Sequence, residues 1–567
     1  MFLSLLAALL GLLVVGVYVC WIAPIFNPLR ELCGPRVSGL FGNHMGPVLE
    51  VHELYVKRYG HSFRIRGLGP WDDRLLTLDP VSIAHVLKNS TVYEKPWQSR
   101  RLITSLIGCG MLAAEGDAHR RQRRIATPAF GLQNLRALVP MVWAKGHELR
   151  DKISEIIETT PNAPADFVSE KCDAKPKCKG VKIDVCDLIS RATFDVIGLA
   201  GFDYRFNAIQ GDSNELFCAY KDMFEVAISQ GQGLRCIANV YFPILETIWP
   251  DKTTYTVRRA HEVINRVAGT LIQEKKAQLA AGTAPTPDLL TRLLASNTST
   301  DIPPEQRISD ADVLHNINTF LFAGSDTTSL ALTWTLYLLA QQPAMQRKLR
   351  AELLALSPPE EEGDEALADL HAQLAKLPYL NNVVRESLRL IPPVHSSLRV
   401  ATRDDVIPTS TPLYTRSPTS TKPIVHPAGA RAIHITKGSM VHVPIEGFNL
   451  AREVWGDNAW EFVPDRWDAL PPAALAQPGL LPGLLTFSAG PRSCIGMRFS
   501  LIEMKVFLWV LLRAFVFNEG DETVIKRNVV LTRPYMKGRR GDGSMCPLWV
   551  RPYMHGDDDD PELKVEQ

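Results

Sequence analysis

The sequence predicts a mainly α-helical domain with a smaller β-rich lobe, preceded by a single N-terminal transmembrane helix. Three observations predict it. Residues 2–26 contain no charged side chain. From about 47 to 390, charged and apolar residues mix at spacings of three and four, the helical period. From 392 to 444, Pro, Thr, Ser and Val dominate, the composition of short strands and turns.

The apolar run comes first. At 1.5 Å per residue, 25 helical residues reach about 37 Å, enough to cross a hydrocarbon core of about 30 Å with tilt. A cleaved signal peptide would want a basic start and a shorter apolar stretch. Met1-Phe2-Leu3-Ser4 has no basic side chain, so the run reads as an uncleaved anchor over 1–26. Arg30 and Arg36 follow it, which by the positive-inside rule keeps the remainder cytosolic. In that compartment the sequons at Asn89 and Asn297 go unused. Residues 27–46 hold Pro28, Gly34, Pro35, Gly39 and Gly42 and read as a linker.

One domain is then expected over 47–552. Residues 309–342 form its clearest helix, about 50 Å long. Ser309 with Asp310 and Asp312 suits its N-cap and first turn, and Pro343 lies past its end. A further helix is expected over 501–515. Residues 553–567, with Asp557 to Asp560 in succession, read as an acidic disordered tail.

Composition narrows the function. Lys+Arg 62 against Asp+Glu 61 leaves a net charge of +1, which argues against nucleic-acid binding by bulk electrostatics. Hydrophobic residues at 46% and charged residues at 22% are ordinary globular values. A mean hydropathy of −0.03 excludes a polytopic membrane protein. Ten cysteines show no tight paired framework, which points to a reducing compartment. Cys172 and Cys178 sit in a Lys-rich stretch without the CxxC spacing of a zinc site. They read as thiols on a surface insertion.

The most informative segment is Phe487-Ser488-Ala489-Gly490-Pro491-Arg492-Ser493-Cys494-Ile495-Gly496. Gly490 and Pro491 make a turn. Cys494 precedes a helix, and a thiolate there is stabilised by the helix dipole and by Arg492. Gly496 leaves room for a flat ligand to approach the backbone. The bland alternative is a loop with a buried structural thiol.

This segment resembles the heme-binding F-x-x-G-x-R-x-C-x-G loop of the cytochrome P450 family. The resemblance implies the family's triangular-prism fold, heme b as cofactor, Cys494 as the iron's thiolate ligand, and Arg492 on a heme propionate. A thiolate ligand pushes electron density toward O–O cleavage. Glu386-Ser387-Leu388-Arg389 places opposite charges at i and i+3 on one helix face, on its own a solvated pair. It is similar to the family's E-x-x-R element. Arg466, in Phe462-Val463-Pro464-Asp465-Arg466-Trp467, fits the third member of a buried network that fixes the cysteine loop. Trp455-Gly456-Asp457-Asn458-Ala459 matches the family's lead-in to it.

Ala323-Gly324-Ser325-Asp326-Thr327-Thr328 lies mid-way along the long helix. These are poor helix formers at a helix centre and can divert backbone hydrogen bonds and open a groove. The stretch resembles the family's oxygen-activation segment, which implies that Asp326 and Thr327 deliver protons. The basic stretch from Glu115 to Arg124 reads alone as a solvated face. It resembles the family's W-x-x-x-R propionate-binding helix with His119 in place of Trp, so His119 and Arg123 join the implied contacts. Arg399 fits a further propionate contact. The run 187–204 is similar to fungal members, and 408–434 is longer than the family usually has.

The resemblance implies a heme-thiolate monooxygenase of the endoplasmic reticulum membrane, single-pass, with its catalytic domain cytosolic. It would insert one atom of O2 into a lipophilic small molecule, in secondary metabolism such as terpenoid or polyketide biosynthesis. Electrons would come from NADPH–cytochrome P450 reductase, with cytochrome b5 as an optional second donor, and no nucleic acid would take part. Substrate-lining residues would come from 93–112, 316–323 and 394–398. Two other readings stand beside it. One is a heme-thiolate isomerase or dehydratase that uses no O2, disfavoured by Thr327. The other is a non-catalytic anchored heme sensor, disfavoured by an intact Asp326–Thr327 pair.

Overall fold

The computed structural model describes the chain except residues 1–9, 12, 13, 37–47, 68, 70, 161–179, 213, 231–233, 284–287, 299–302, 358–362 and 555–567. Cys172, Cys178 and the acidic run from Asp557 lie outside the described residues. The fold is mainly helical with a smaller β region, as the sequence predicts. It separates into two compact units. One joins Met1–Arg100, Val394–Glu461 and Ala469–Cys494; the other joins Arg101–Pro393, Phe462–Asp468 and Ile495–Gln567.

The first unit is the β-rich lobe. Its main sheet orders the strands Ser62–Arg66, Asp73–Thr77, Met440–Val443, Ser397–Ala401 and Tyr93–Glu94. Met440–Val443 runs parallel to Asp73–Thr77 and antiparallel to Ser397–Ala401. Phe63, Leu75, Val86, Tyr93, Val441 and Phe448 fill its core. The long 408–434 segment folds as nested ladders: Asp405–Ile407 pairs with Ile433–Ile435, and inside it Leu413–Thr415 pairs with Ile424–His426. Asp79 pins this insertion. It caps the helix Pro80–Lys88 by accepting from Ser82 N at 2.8 Å, and it also accepts from the backbone and hydroxyls of Ser410 and Thr411.

Two expectations need correction here. The stretch after the apolar run is not a loose linker throughout: Leu29 and Leu32 are buried in the lobe's core, and Cys33 N donates to Tyr414 O at 3.0 Å. Two leucines spaced i, i+3 gave the segment a face to bury, which a turn-rich composition concealed. Nor is 1–26 seen as one continuous α-helix. Its described part turns into a π-helix over Tyr18–Ile22 and a 3₁₀-helix over Ala23–Phe26, where Pro24 has no N–H to give an α-helical bond. Among the described residues no helix is long and apolar enough to cross a membrane.

The second unit is helical. Its axis is the helix Asp310–Gln341, opened by a complete capping box: Asp312 N donates to Ser309 Oγ, and Ser309 N donates to Asp312 Oδ2, both at 3.1 Å. Pro343 begins the next helix. The helix Val185–Phe202 packs closely on the axis. An added Cβ on Gly324 would stand 3.0 Å from Ile197, so glycine here serves close approach. The helix Met497–Ala514 buries Phe507, Leu508, Trp509 and Leu511. A three-stranded sheet, Phe515–Asn518 with Pro547–Pro552 and Val181–Asp184, completes the unit with the hairpin Val524–Asn528 and Thr532–Met536.

Candidate active site

The cysteine loop is held by backbone. Cys494 N donates to Phe487 O at 2.9 Å, Ser493 N to Gly490 O at 3.0 Å, and Ser488 N to Leu485 O at 2.7 Å. Leu485 N is in turn fixed by Asn449 Oδ1 at 2.8 Å. Gly490 has φ of +68°, and a Cβ there would stand 2.5 Å from Leu87 O, so no other residue fits. The loop is thereby locked against the helix Pro80–Lys88, and it leaves the Cys494 thiol exposed. A structural thiol would be buried, so the bland reading fails. The helix that follows starts at Met497 with Gly496 as its N-cap, and a Cβ on Gly496 meets nothing within 4 Å among the described residues.

Beside this loop the lobe concentrates positive charge. Arg399 is buried on the strand Ser397–Ala401, its Nη1 donating to Ser397 Oγ at 2.6 Å. Burial pushes its pKa down to about 10. Burial likewise brings Arg492 down to about 10, against the pull of Glu94. Lys95 was not anticipated from sequence. It follows the strand Tyr93–Glu94, whose Glu94 pairs with Val400, and this register sets Lys95 beside Arg399. Burial, then Arg399, Arg492 and Arg100, push the Lys95 ammonium well below the usual lysine range. Cations of one sign gathered partly out of water attract anions. Two carboxylates of a flat, apolar ring would supply them, and the exposed thiol would supply a ligand to its metal. The residues present fit heme.

The helical unit holds the other predicted residues. Glu386 and Arg389, both fully buried, lie on the helix Pro378–Leu390. Arg389 donates Nε to Oε2 and Nη2 to Oε1, each 2.8 Å. Arg466 Nε, Val463 N and Trp467 Nε1 donate to the same carboxylate at 2.9, 3.0 and 2.9 Å. Burial alone would raise the Glu386 pKa, but Arg389 and the other donors bring it below the ordinary value. The expected network of Glu386, Arg389 and Arg466 exists, with Trp467 as an unanticipated fourth side chain. Its bonds come from a short 3₁₀ turn, Pro464–Asp468.

Asp326 and Thr327 sit in the middle of the axial helix. The helix Asp310–Gln341 runs continuously through this stretch of weak helix formers. Thr327 Oγ1 donates to Ala323 O at 2.7 Å, and Ser325 Oγ to Leu321 O at 2.6 Å. These carbonyls have two lone pairs and accept the hydroxyls without surrendering their backbone bonds. Asp326 pairs with Arg533 on the strand Thr532–Met536. In the same unit, residues 108–111 meet the axial helix: Met111 N donates to Asn316 Oδ1 at 3.1 Å, and Gly108 and Gly110 make room for His315 and Thr319. Two of the expected substrate-lining stretches are thus neighbours. His119 is buried on the helix Gly116–Ala126, with Arg123 one turn further on.

The family model for cytochrome P450 matches residues 37–415 and 413–536. The chain belongs to the cytochrome P450 family. Curated relatives agree along almost the whole length. Cytochrome P450 monooxygenase 128 of Postia placenta is 38% identical over 552 residues, covering 94% of each chain. Cytochrome P450 monooxygenase 205 of the same fungus is 35% identical, covering 93% of each. Cytochrome P450 monooxygenase claP of Ampulloclitocybe clavipes is 30% identical, again over 93% of each. This cytochrome P450 is therefore a heme-dependent oxidoreductase of fungal type. As in other P450 monooxygenases, it takes electrons from a redox partner and oxygenates a lipophilic substrate.

Proposed function

We propose that Cys494 is the thiolate ligand of heme b, that Arg492, Arg399 and Lys95 hold its propionates, and that His119 and Arg123 add contacts from the Gly116–Ala126 helix. One observation supports this above the rest: a buried Arg399 and the half-buried Lys95 and Arg492 stand together in the lobe that carries the exposed Cys494 thiol. The heme, when bound, supplies the oxygen-activating chemistry. The protein's part is to exclude water, orient an apolar substrate and move protons. Thr327 presents a hydroxyl, and Asp326 a carboxylate, from the middle of the axial helix. That pair favours use of O2 over an isomerase or dehydratase, which needs no proton delivery to oxygen.

The substrate class in this reading is a lipophilic small molecule of secondary metabolism, a terpenoid or polyketide among the candidates. Electrons come from NADPH through the flavoprotein reductase, with cytochrome b5 as an optional donor. The same reading puts the enzyme on the endoplasmic reticulum membrane with its catalytic units in the cytosol, an assignment that rests on the apolar N-terminal stretch. Trp21, Ile25 and Phe26, all well exposed, support an apolar environment there. The test is the reduced carbon monoxide spectrum together with NADPH-dependent oxygenation of a panel of terpenoids, polyketides and fatty acids. Wild type gives the red-shifted Soret band of thiolate ligation and at least one oxygenated product. Cys494→Ala loses both. A normal thiolate spectrum in Cys494→Ala would overturn the assignment.

A further inference from the structure

Two buried carboxylates of the helical unit are held in opposite ways. Glu386 accepts five hydrogen bonds and is fully buried. Asp326 accepts one side-chain hydrogen bond among the described residues, from Arg533 Nη2. Its side chain is still 12% exposed. Arg533 spends its donors unevenly as well. Its Nε is buried with no partner, so it makes a single-point contact rather than a two-pronged one. A carboxylate gripped at one point can rotate about that bond, whereas one gripped at five cannot.

The platform under Arg533 is rigid. The residue before it, Thr532, donates N to Pro393 O at 2.8 Å and Oγ1 to Pro392 O at 2.7 Å, and its own carbonyl accepts from Trp334 Nε1 at 2.9 Å. Trp334 lies two turns beyond Asp326 on the same helix. The guanidinium is therefore delivered to a fixed place on the axial helix. A firm base with a one-point grip is the arrangement that aims a movable group. A pair serving neutralisation alone gains from every bond it can make, and here donors are left over.

We propose that Arg533 is a positioning residue that aims the Asp326 carboxylate for proton delivery toward Thr327 and lets it swing between deliveries. This rests on the reading of Asp326 and Thr327 given above. Arg533 touches neither heme nor substrate in this scheme; it acts only through Asp326.

The experiment compares full-length, heme-loaded wild type with Arg533→Met, Arg533→Lys, Asp326→Asn and the Asp326→Asn/Arg533→Met double variant. The readouts are NADPH consumption with reductase and dodecanoic acid as lipophilic probe, in H2O and in D2O, and the thermal unfolding midpoint. A misaimed group costs about tenfold to a hundredfold, so Arg533→Met slows consumption by that factor and raises the H2O/D2O rate ratio. Arg533→Lys keeps a charge on the same platform and recovers most of the rate. Added to Asp326→Asn, Arg533→Met changes neither rate nor isotope ratio. The midpoint falls in Arg533→Met and is restored in the double variant. Unchanged or faster consumption in Arg533→Met, with Asp326→Asn slowed, overturns the positioning role alone. An equal effect of Arg533→Met in both backgrounds also overturns it. If Asp326→Asn consumes NADPH as wild type does, the proton-delivery reading falls, and this inference with it.

Discussion

Arg389 grips Glu386 through two parallel hydrogen bonds of 2.8 Å with neither side chain exposed. Removing one partner strands the other charge in the interior. Breaking such a pair costs about 3–5 kcal/mol, against a whole-domain stability of about 5–15 kcal/mol. Glu386→Ala is expected to fold poorly and to lose most of its heme, because Arg389, Arg466 and Trp467 lose a shared acceptor. The ratio of Soret to protein absorbance measures this. Full heme at normal yield would mean that solvent reaches the pair. The folded-state pKa of Glu386 lies below its unfolded value. Its stabilisation is therefore present above about pH 4.3 and is lost as pH falls through the lower folded value.

Lys95→Met separates the cofactor's needs from the chain's. The half-buried ammonium has a pKa pushed well below the usual range by desolvation and by the neighbouring arginines. In the heme-free protein its cost is full below that lowered value and fades as pH rises toward the ordinary lysine value of about 10.4. Lys95→Met should therefore raise the unfolding midpoint of the heme-free chain, and the gain should shrink as pH rises through that window. It should also release heme to apomyoglobin faster than wild type. Slower release, or an unchanged rate, would remove Lys95 from the propionate contacts.

Thr327→Ala should load heme normally, since its hydroxyl bonds within the helix to Ala323 O. Its effect belongs to proton delivery, where a positioned acid contributes about 10²–10⁴-fold. NADPH is then consumed with peroxide released in place of product. The measurement is product per NADPH; an unchanged ratio would put proton delivery through another group.

Glu503, on the helix Met497–Ala514, is fully buried, and its Oε1 has no hydrogen-bond partner among the described residues. Burial raises its pKa well above the ordinary carboxyl value. Protonated glutamic acid suits this site, so stability is full below about pH 4.3 and is lost as pH rises through the raised folded value. Glu503→Gln cannot ionise. Its unfolding midpoint should exceed that of wild type by a margin that widens between pH 5 and pH 8. A margin independent of pH would show that ionisation of Glu503 plays no part.

Removing residues 1–26 should move the protein from the membrane pellet to the supernatant while retaining heme. Leu29 and Leu32 must stay, since both are buried in the lobe's core. A cut at residue 33 should cost heme loading as well as attachment. Membrane retention after the shorter cut would place the attachment elsewhere.

What could be read from sequence was local. The Ser309–Asp312 capping box lies within four residues, and Glu386 with Arg389 within one turn, so spacing alone displays them. Lys95 beside Arg399 was invisible because the contact exists only once Tyr93–Glu94 pairs with Ser397–Ala401 in its particular register. Arg533 was missed because 207 positions separate it from Asp326. Composition around Thr327 marks weak helix formers, but only packing against Val185–Phe202 shows why a glycine stands at Gly324.

Thr532 has a consequence for how this protein opens. Its three bonds tie one strand to the axial helix at Trp334 and to the carbonyls of Pro392 and Pro393, just past the helix of Glu386. None of these segments can come loose without breaking a bond to another. In hydrogen exchange they should behave as one cooperative foldon, with the indole of Trp334 protected to the same level as the amide of Thr532. The carboxylate that must move and the carboxylate that must not are thus hung on a single frame, and thermal motion of that frame carries both together.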